Sequence, residues 1–145
     1  MKISFLAIVI MFFAANNCSN NNQDANMISS INYETFTRGS STMYKLTPEM
    51  MEITSTGLNK SESSLELTKE EWNSLLTKVQ GLEVSQISQL KAPSDSRASD
   101  AALHAILSVR KNDTIYKTNS FDHGNPPAEV KPLVEAILRL AENVE

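Results

Sequence analysis

An uncharged apolar run at residues 3–15 divides this chain into a leader and a part that must fold in water. Lys2 precedes the run, and the small residues Ala14 and Ala15 close it. As a helix the run would measure roughly 20 Å, which is shorter than the roughly 30 Å hydrocarbon core of a bilayer. A positive start, a short apolar stretch and small residues after it are typical of a secretory signal peptide.

Cys18, the single cysteine of the chain, lies just beyond this run. The region resembles a bacterial lipoprotein leader, in which cleavage leaves the cysteine at the new N-terminus, carrying lipid. The resemblance implies a signal peptide over residues 1–17 and a lipid on Cys18. A lone cysteine would otherwise be a reactive group in an oxidising compartment. Because Asn17 precedes the cysteine, simple secretion and an uncleaved anchor stay open as alternatives.

Residues 19–26 follow the cysteine and contain no apolar side chain larger than alanine. Such a segment buries too little surface to order itself, so we expect a polar tether between the membrane and a domain. In the sorting logic of bacterial lipoproteins, Ser19 after the cysteine is not a signal for retention in the inner membrane. We therefore expect the outer membrane, on its periplasmic side. A secreted form and an inner-membrane form remain the alternatives.

Residues 27–145 carry the patterns of a single α+β domain. Apolar and polar residues alternate along residues 27–36, 43–46, 51–56, 63–67, 101–109 and 115–118, which indicates antiparallel strands joined by short turns. Asn112-Asp113 is suited to a hairpin turn. We predict a meander of five or six antiparallel strands, with two amphipathic helices packed on one face.

The first of these helices has a clear start. Thr68 and Glu71 have the spacing of a capping box, in which each side chain satisfies a free backbone donor of the first turn. An apolar stripe at helical spacing follows, formed by Trp72, Leu75, Leu76 and Val79. Gly81 suits the left-handed residue that often ends a helix. Residues 82–90 predict one or two short helical turns.

The last helix is predicted to begin near Pro127, because proline is favoured at the first helical position. An apolar stripe then runs for about three turns through Val130, Leu133, Val134, Ile137, Leu138 and Ala141. Pro132 lies within this stretch and would remove one backbone donor.

A candidate binding loop is formed by Arg97, Asp100, Asp122 and His123. Asp122-His123 is the only neighbouring histidine and carboxylate pair in the chain. Catalysis by such a pair would need a nucleophile or a metal as a third partner. We therefore expect a structural role, in which Asp122 accepts backbone donors of its turn, and keep binding and catalysis as alternatives.

The composition argues against several other functions. The chain has 13 Lys and Arg against 17 Asp and Glu, a formal charge of −4, so it lacks the basic balance of a nucleic-acid binder. With two histidines and one cysteine, the chain has few nitrogen and sulfur ligands for a metal site. None of the four glycines forms a phosphate-binding loop. We expect no nucleic-acid partner, no metal and no cofactor.

The chain as a whole resembles small uncharacterised lipoproteins of Bacteroidetes-type bacteria. The resemblance covers most of residues 28–140 and is carried by the leader, Arg38-Gly39, the Trp72 helix, Leu90-Lys91-Ala92-Pro93, Asp100-Ala101-Ala102 and Phe121-Asp122-His123-Gly124-Asn125-Pro126-Pro127. It implies no known activity. We expect a membrane-anchored envelope lipoprotein that binds or inhibits an envelope partner without catalysis. The alternative is an envelope enzyme that uses the Asp122-His123 loop.

Overall fold

A computed structural model describes residues 27–98 and 102–144 of this chain. The predicted leader, Cys18, the tether and Asp100 lie outside the described residues. Seven strands form one sheet: β1 (Ile28–Phe36), β2 (Ser41–Leu46), β3 (Met50–Ser55), β4 (Ser61–Glu66), β5 (His104–Lys111), β6 (Thr114–Lys117) and β7 (Phe121–Asp122). Within the described residues, two α-helices accompany them: α1 (Lys69–Gln80) and α2 (Lys131–Ala141).

All strand pairs in the sheet are antiparallel, and the strand order is β4-β3-β2-β1-β5-β6. The short strand β7 pairs with the first residues of β5, beside β6. The predicted α+β meander is therefore confirmed. The two-residue strand β7 was not predicted, because so short a segment shows no alternation in the sequence.

Alternation along β1 gives the sheet two different faces. Ile31 and Tyr33 are completely buried, and Tyr33 lies opposite Tyr44 on β2 and Leu107 on β5. Residues that lie opposite one another in register point to the same side of the sheet. We call this side the helix face, because its residues form one core with the buried residues of both helices.

The other side, which we call the open face, consists of the strand residues of opposite parity. These residues are exposed or half-buried, apart from Ser108 on β5 and Asp122 on β7, which are buried. From β4 to β6 they are Glu62, Ser64 and Glu66; Met50, Glu52 and Thr54; Ser41, Met43 and Lys45; Ser30, Asn32, Glu34 and Phe36; His104, Ile106, Ser108 and Arg110; and Ile115 and Lys117.

Helix α1 begins as the capping box predicts. The Glu71 backbone N–H donates to Thr68 Oγ1 at 3.2 Å, and the Thr68 backbone N–H donates to Glu71 Oε2 at 2.8 Å. The Thr68 hydroxyl also donates to Glu71 Oε2 at 2.8 Å, and the two donors of Thr68 together lower the pKa of the Glu71 carboxyl. The predicted stripe of Trp72, Leu75, Leu76 and Val79 is buried.

The end of α1 differs from the prediction. Gly81 has φ −73° and ψ −3°, which is right-handed rather than left-handed backbone. The chain keeps its right-handed turn here because it continues into a 3-10 helix over Val84–Gln89. This 3-10 helix confirms the short helical turns predicted for residues 82–90.

Helix α2 begins at Lys131, later than the predicted start at Pro127. The backbone N–H groups of Val130 and Lys131 both donate to the Pro127 carbonyl at 3.1 Å, so a separate turn precedes the helix. Pro132 thereby becomes the second helical residue. A backbone N–H at that position has no intrahelical acceptor, so the proline costs the helix no hydrogen bond.

We predict that Thr68→Ala lowers the free energy of unfolding by about 1 kcal/mol, because the first turn of α1 loses its side-chain cap. Urea denaturation of the purified protein measures the change. Thr77→Ala, in the same helix and exposed, is the matched control and should change the free energy of unfolding by less than about 0.5 kcal/mol. Equal effects of both substitutions would contradict the assigned role of the cap.

Candidate functional site

The Asp122-His123 pair of the candidate loop lies at the end of the short strand β7. Phe121 pairs with Ala105 and is completely buried, whereas Asp122 pairs with His104 and is 7% exposed. Because Ala105 belongs to the helix face and His104 to the open face, Asp122 lies on the open-face side of the sheet.

The Asp122 carboxylate holds the segment that leads into β5. Ser94 Oγ donates to Asp122 Oδ2, and the backbone N–H of Ser96 donates to the same oxygen at 2.9 Å. Asn125 Nδ2 in turn donates to Ser94 Oγ at 2.7 Å. A nearly buried carboxylate that accepts such bonds ties its donors firmly, since charge-assisted hydrogen bonds are stronger than neutral ones.

His123 contacts a different part of the protein. Its Nδ1 lies 2.9 Å from the Tyr33 hydroxyl oxygen, and the two groups share a hydrogen bond. The two rings are also neighbours, with centroids 6.0 Å apart. The His123 backbone N–H donates to the Leu103 carbonyl at 2.9 Å, which fixes the position of the residue beside β5.

Burial sets the protonation of this pair. Desolvation raises the pKa of the Tyr33 phenol far above its usual value, and the nearby Tyr44 raises it further, so the phenol keeps its proton. Desolvation also lowers the pKa of His123, which favours the neutral imidazole. The Tyr33 hydroxyl and Nδ1 of the neutral ring are hydrogen-bond partners, and this bond satisfies a tyrosine hydroxyl in the core.

Asp122 and His123 therefore lie on opposite sides of the sheet. The Asp122 carboxylate bonds to Ser94 and Ser96 on the open-face side, whereas His123 bonds to Tyr33 of the helix face. General acid–base catalysis needs both groups within hydrogen-bond reach of one substrate. The geometry does not bring the two side chains to a common point.

Arg97 lies in a short 3-10 helix, Ser96–Ala98, whose first residue donates to Asp122. The backbone of Arg97 is therefore one residue away from this contact. The described donors to the Asp122 side chain come from Ser94 and Ser96, however, and not from the turn that follows Asp122.

Sequence reasoning missed three members of this site: Tyr33, Ser94 and Asn125. A signal for Tyr33 was present, because its parity on β1 places a tyrosine hydroxyl inside the core, where it needs a partner. Ser94 and Asn125 gave no comparable signal. Ser94 bonds to Asp122, and Asn125 bonds to Ser94, only because the fold brings residue 94 next to residues 122 and 125.

Two of the cavities that lie away from this loop border helix α1 or both helices. One, of about 410 Å³, lies beside the end of α1 and is bordered by Ile28, Val84 and Tyr116. The other, of about 430 Å³, lies between the helices and is bordered by Leu75, Ala136 and Arg139. Neither Asp122 nor His123 lines either cavity.

Within residues 27–98 and 102–144, no group of three or more His, Cys, Asp or Glu residues could hold a metal ion. No helix within the same described ranges is long and apolar enough to cross a membrane. No protein-family model matches this chain, and comparison with curated proteins finds no match either.

We predict that Asp122→Ala lowers the free energy of unfolding by about 2–3 kcal/mol, because the Ser96 N–H loses a charged acceptor in a nearly buried place. Urea denaturation measures the loss. Asp113→Ala, at the exposed β5–β6 turn, is the matched control and should stay within about 0.5 kcal/mol of the parent. If Asp122→Ala changes the free energy of unfolding no more than Asp113→Ala does, the carboxylate does not hold the 94–96 segment.

We also predict that His123 makes the protein less stable in acid. Its pKa is lower in the folded state than in the unfolded chain, so the unfolded chain binds the proton more readily as the pH falls below about 6.5. The free energy of unfolding should therefore fall from pH 8 to pH 5, and His123→Gln should remove part of that fall. His104→Gln, which retains His123, should keep it. An unchanged pH profile in His123→Gln would refute the assignment.

Proposed function

We propose that this chain is a lipid-anchored protein of the bacterial cell envelope whose folded domain binds or inhibits another envelope component without catalysing a reaction. The anchor is the lipid on Cys18, and residues 19–26 are the tether. We place the protein on the periplasmic side of the outer membrane. The partner is an envelope protein, and nucleic acid is not a partner.

One observation supports the non-enzymatic part of the proposal. The chain has one neighbouring histidine and carboxylate pair, and both of its members make structural contacts. Asp122 accepts hydrogen bonds from Ser94 and Ser96, and His123 is hydrogen-bonded to Tyr33. A catalytic pair must reach one substrate, and Asp122 and His123 make their hydrogen bonds on opposite sides of the sheet. The alternative is an envelope enzyme that uses the Asp122-His123 loop. It has less support, because the two side chains do not meet at a common point.

The anchoring part of the proposal is supported by the order of features along the chain. A positive residue, a short apolar run, a single cysteine and a polar segment precede the first strand, which begins at Ile28. One acyl chain gives only marginal membrane binding, at about 0.8 kcal/mol per buried methylene, so stable anchoring needs more than one chain. A multiply acylated N-terminal cysteine meets that requirement.

We predict that the full-length chain incorporates a clickable fatty acid when it is expressed in a Gram-negative bacterium, and that Cys18→Ser abolishes the label. In-gel fluorescence after membrane fractionation measures the incorporation. Ser19→Ala, which changes the neighbouring residue and keeps the sulfur, is the matched control and should be labelled like the parent. Equal labelling of the parent and Cys18→Ser would overturn the lipid anchor.

A further inference from the structure

The β4 edge of the sheet lacks most of the features that keep an edge strand from pairing with another chain. Strand β4 is last in the strand order, so no strand within the described residues pairs along its outer side. Its six residues include no proline and no lysine, and its pairing with β3 continues without a bulge. Short strands, lysine, proline and bulges are common ways of protecting an edge.

The opposite edge of the sheet is better protected. Strand β6 has only four residues and carries Lys117, and β7, which lies beside it along β5, has two residues. Short pieces and a lysine give an incoming strand little to pair with. Of the two edges, β4 is therefore the better template for an added strand.

The register of β4 shows which of its backbone groups point outward. The Leu67 N–H donates to the Glu49 carbonyl at 2.9 Å, so these two residues form a hydrogen-bonded pair at the end of the β3–β4 ladder. Such pairs alternate along an antiparallel ladder, so every second residue of β4 points its N–H and C=O toward β3. The residues between them, Glu62, Ser64 and Glu66, point these groups away from the sheet.

The same three residues have their side chains on the open face, and two of them are acidic. Glu62 and Glu66 are exposed, and neither makes an ion pair within residues 27–98 and 102–144. Lys60, the nearest base along the chain, lies before the strand. Residues that face each other across two antiparallel strands bring their side chains together on one face. The side chains of an added strand would thus lie directly opposite these carboxylates.

A recess on the open face lies beside this edge. It has a volume of about 250 Å³ and is bordered by Met50, Thr54 and Glu62 among others. Glu52 also borders it, but this carboxylate is paired with Lys45 at 2.6 Å. Of the two carboxylates, Glu62 is therefore the one that is available to a cationic side chain that enters the recess.

We infer that the β4 edge is a docking site for an extended segment of a partner protein, which adds to the sheet as an antiparallel strand. The segment has a basic residue, a hydroxyl residue and a second basic residue at alternate positions. The two basic side chains lie opposite Glu66 and Glu62, and the hydroxyl lies opposite Ser64. Strand addition takes its affinity from main-chain hydrogen bonds and its specificity from alternate side chains.

The intervening residues of the partner segment are apolar. They lie on the helix-face side, opposite Leu65 and Ser63, which are half-buried. Leu65 packs against the core, so an apolar neighbour extends that core by one strand. The recognised pattern is therefore basic, apolar, hydroxyl, apolar, basic.

This inference rests on the proposed binding role, to which it adds a site and the chemistry of the partner. It does not rest on the lipid on Cys18, because the β4 edge belongs to the folded domain. The two glutamates also select against an acidic partner strand, since like charges directly opposite each other destabilise a strand pair.

Fluorescence anisotropy of a labelled peptide tests the site. The peptide Lys-Val-Thr-Val-Lys, flanked by glycines, is titrated with the full-length chain purified in mild detergent, and we expect saturable binding. Cys18→Ser should bind the peptide equally. Incorporation of the clickable fatty acid is measured on the same preparations, so that a failure of the anchor is seen separately from a failure of the strand site.

Charge reversal makes the test specific. We expect Glu62→Lys with Glu66→Lys to weaken binding of the basic peptide about tenfold and to favour Glu-Val-Thr-Val-Glu instead. Glu135→Lys with Glu142→Lys, at exposed positions of α2 and its C-cap, changes the net charge by the same amount and is the matched control. This control should bind the basic peptide like the parent.

Methylation of the peptide backbone tests the geometry. An N-methyl group on the central threonine removes the N–H that donates to the Ser64 carbonyl, so it should abolish binding. An N-methyl group on the first valine, whose N–H points away from β4, should change binding little. Hydrogen exchange of the Ser64 N–H, measured by NMR, should slow when the unmodified peptide binds, whereas that of Ser63, which points toward β3, is slow already.

Several results would overturn the inference. No change in anisotropy at chain concentrations up to about 1 mM would mean that the chain has no site for this peptide. Equal weakening by the reversals on β4 and α2, with both variants folded in thermal melts, would mean that the peptide responds to net charge alone. Equal effects of the two N-methyl groups on the parent chain would exclude strand addition. A dimer of the chain that is lost in Glu62→Lys with Glu66→Lys would show that a second copy occupies the edge.

Discussion

The pairing of β1 along both of its edges decides which side of every neighbouring strand meets the helices. Tyr33 lies opposite Tyr44 on one edge and Leu107 on the other, and all three belong to one core. Side chains alternate with a period of two, so a slip of one residue in this register would exchange the buried and open faces of the sheet. The packing of the helices on the sheet, the candidate site and the open face all depend on this one register.

The same alternation explains why a promising pair of residues is structural. Asp122 and His123 are neighbours in the chain, yet their side chains bond on opposite sides of the sheet. Asp122 anchors a connecting segment, and His123 satisfies the hydroxyl of Tyr33 in the core. Adjacency in a sequence brings two side chains together in a loop, but an extended backbone separates them.

The helices pack on one face of the sheet, and the other face differs from it in composition. An antiparallel sheet commonly has one face in water, and hydroxyl and charged side chains make up most of the open face here. The order of its charges is less ordinary, because acids gather toward β4 and bases toward β6. Two of these charges, Lys45 and Glu52, pair with each other at 2.6 Å.

Motifs that span a few residues were readable from the sequence. The capping box of Thr68 and Glu71, the stripe of α1 and the alternation of β1 to β6 are local, so backbone geometry alone relates their residues. Local signals failed where a neighbouring element changed the outcome: Gly81 continues into a 3-10 helix, and a turn at Pro127 delays α2.

The sequence by itself thus determined the strands β1 to β6, the two helices, the buried stripe of α1 and the α+β class. Only the tertiary structure decided that β5 lies beside β1, that Ser94 reaches Asp122 and that Tyr33 meets His123. The physical reason is distance along the chain. Contacts between residues far apart form only through the packing of whole elements, and no short-range pattern encodes them.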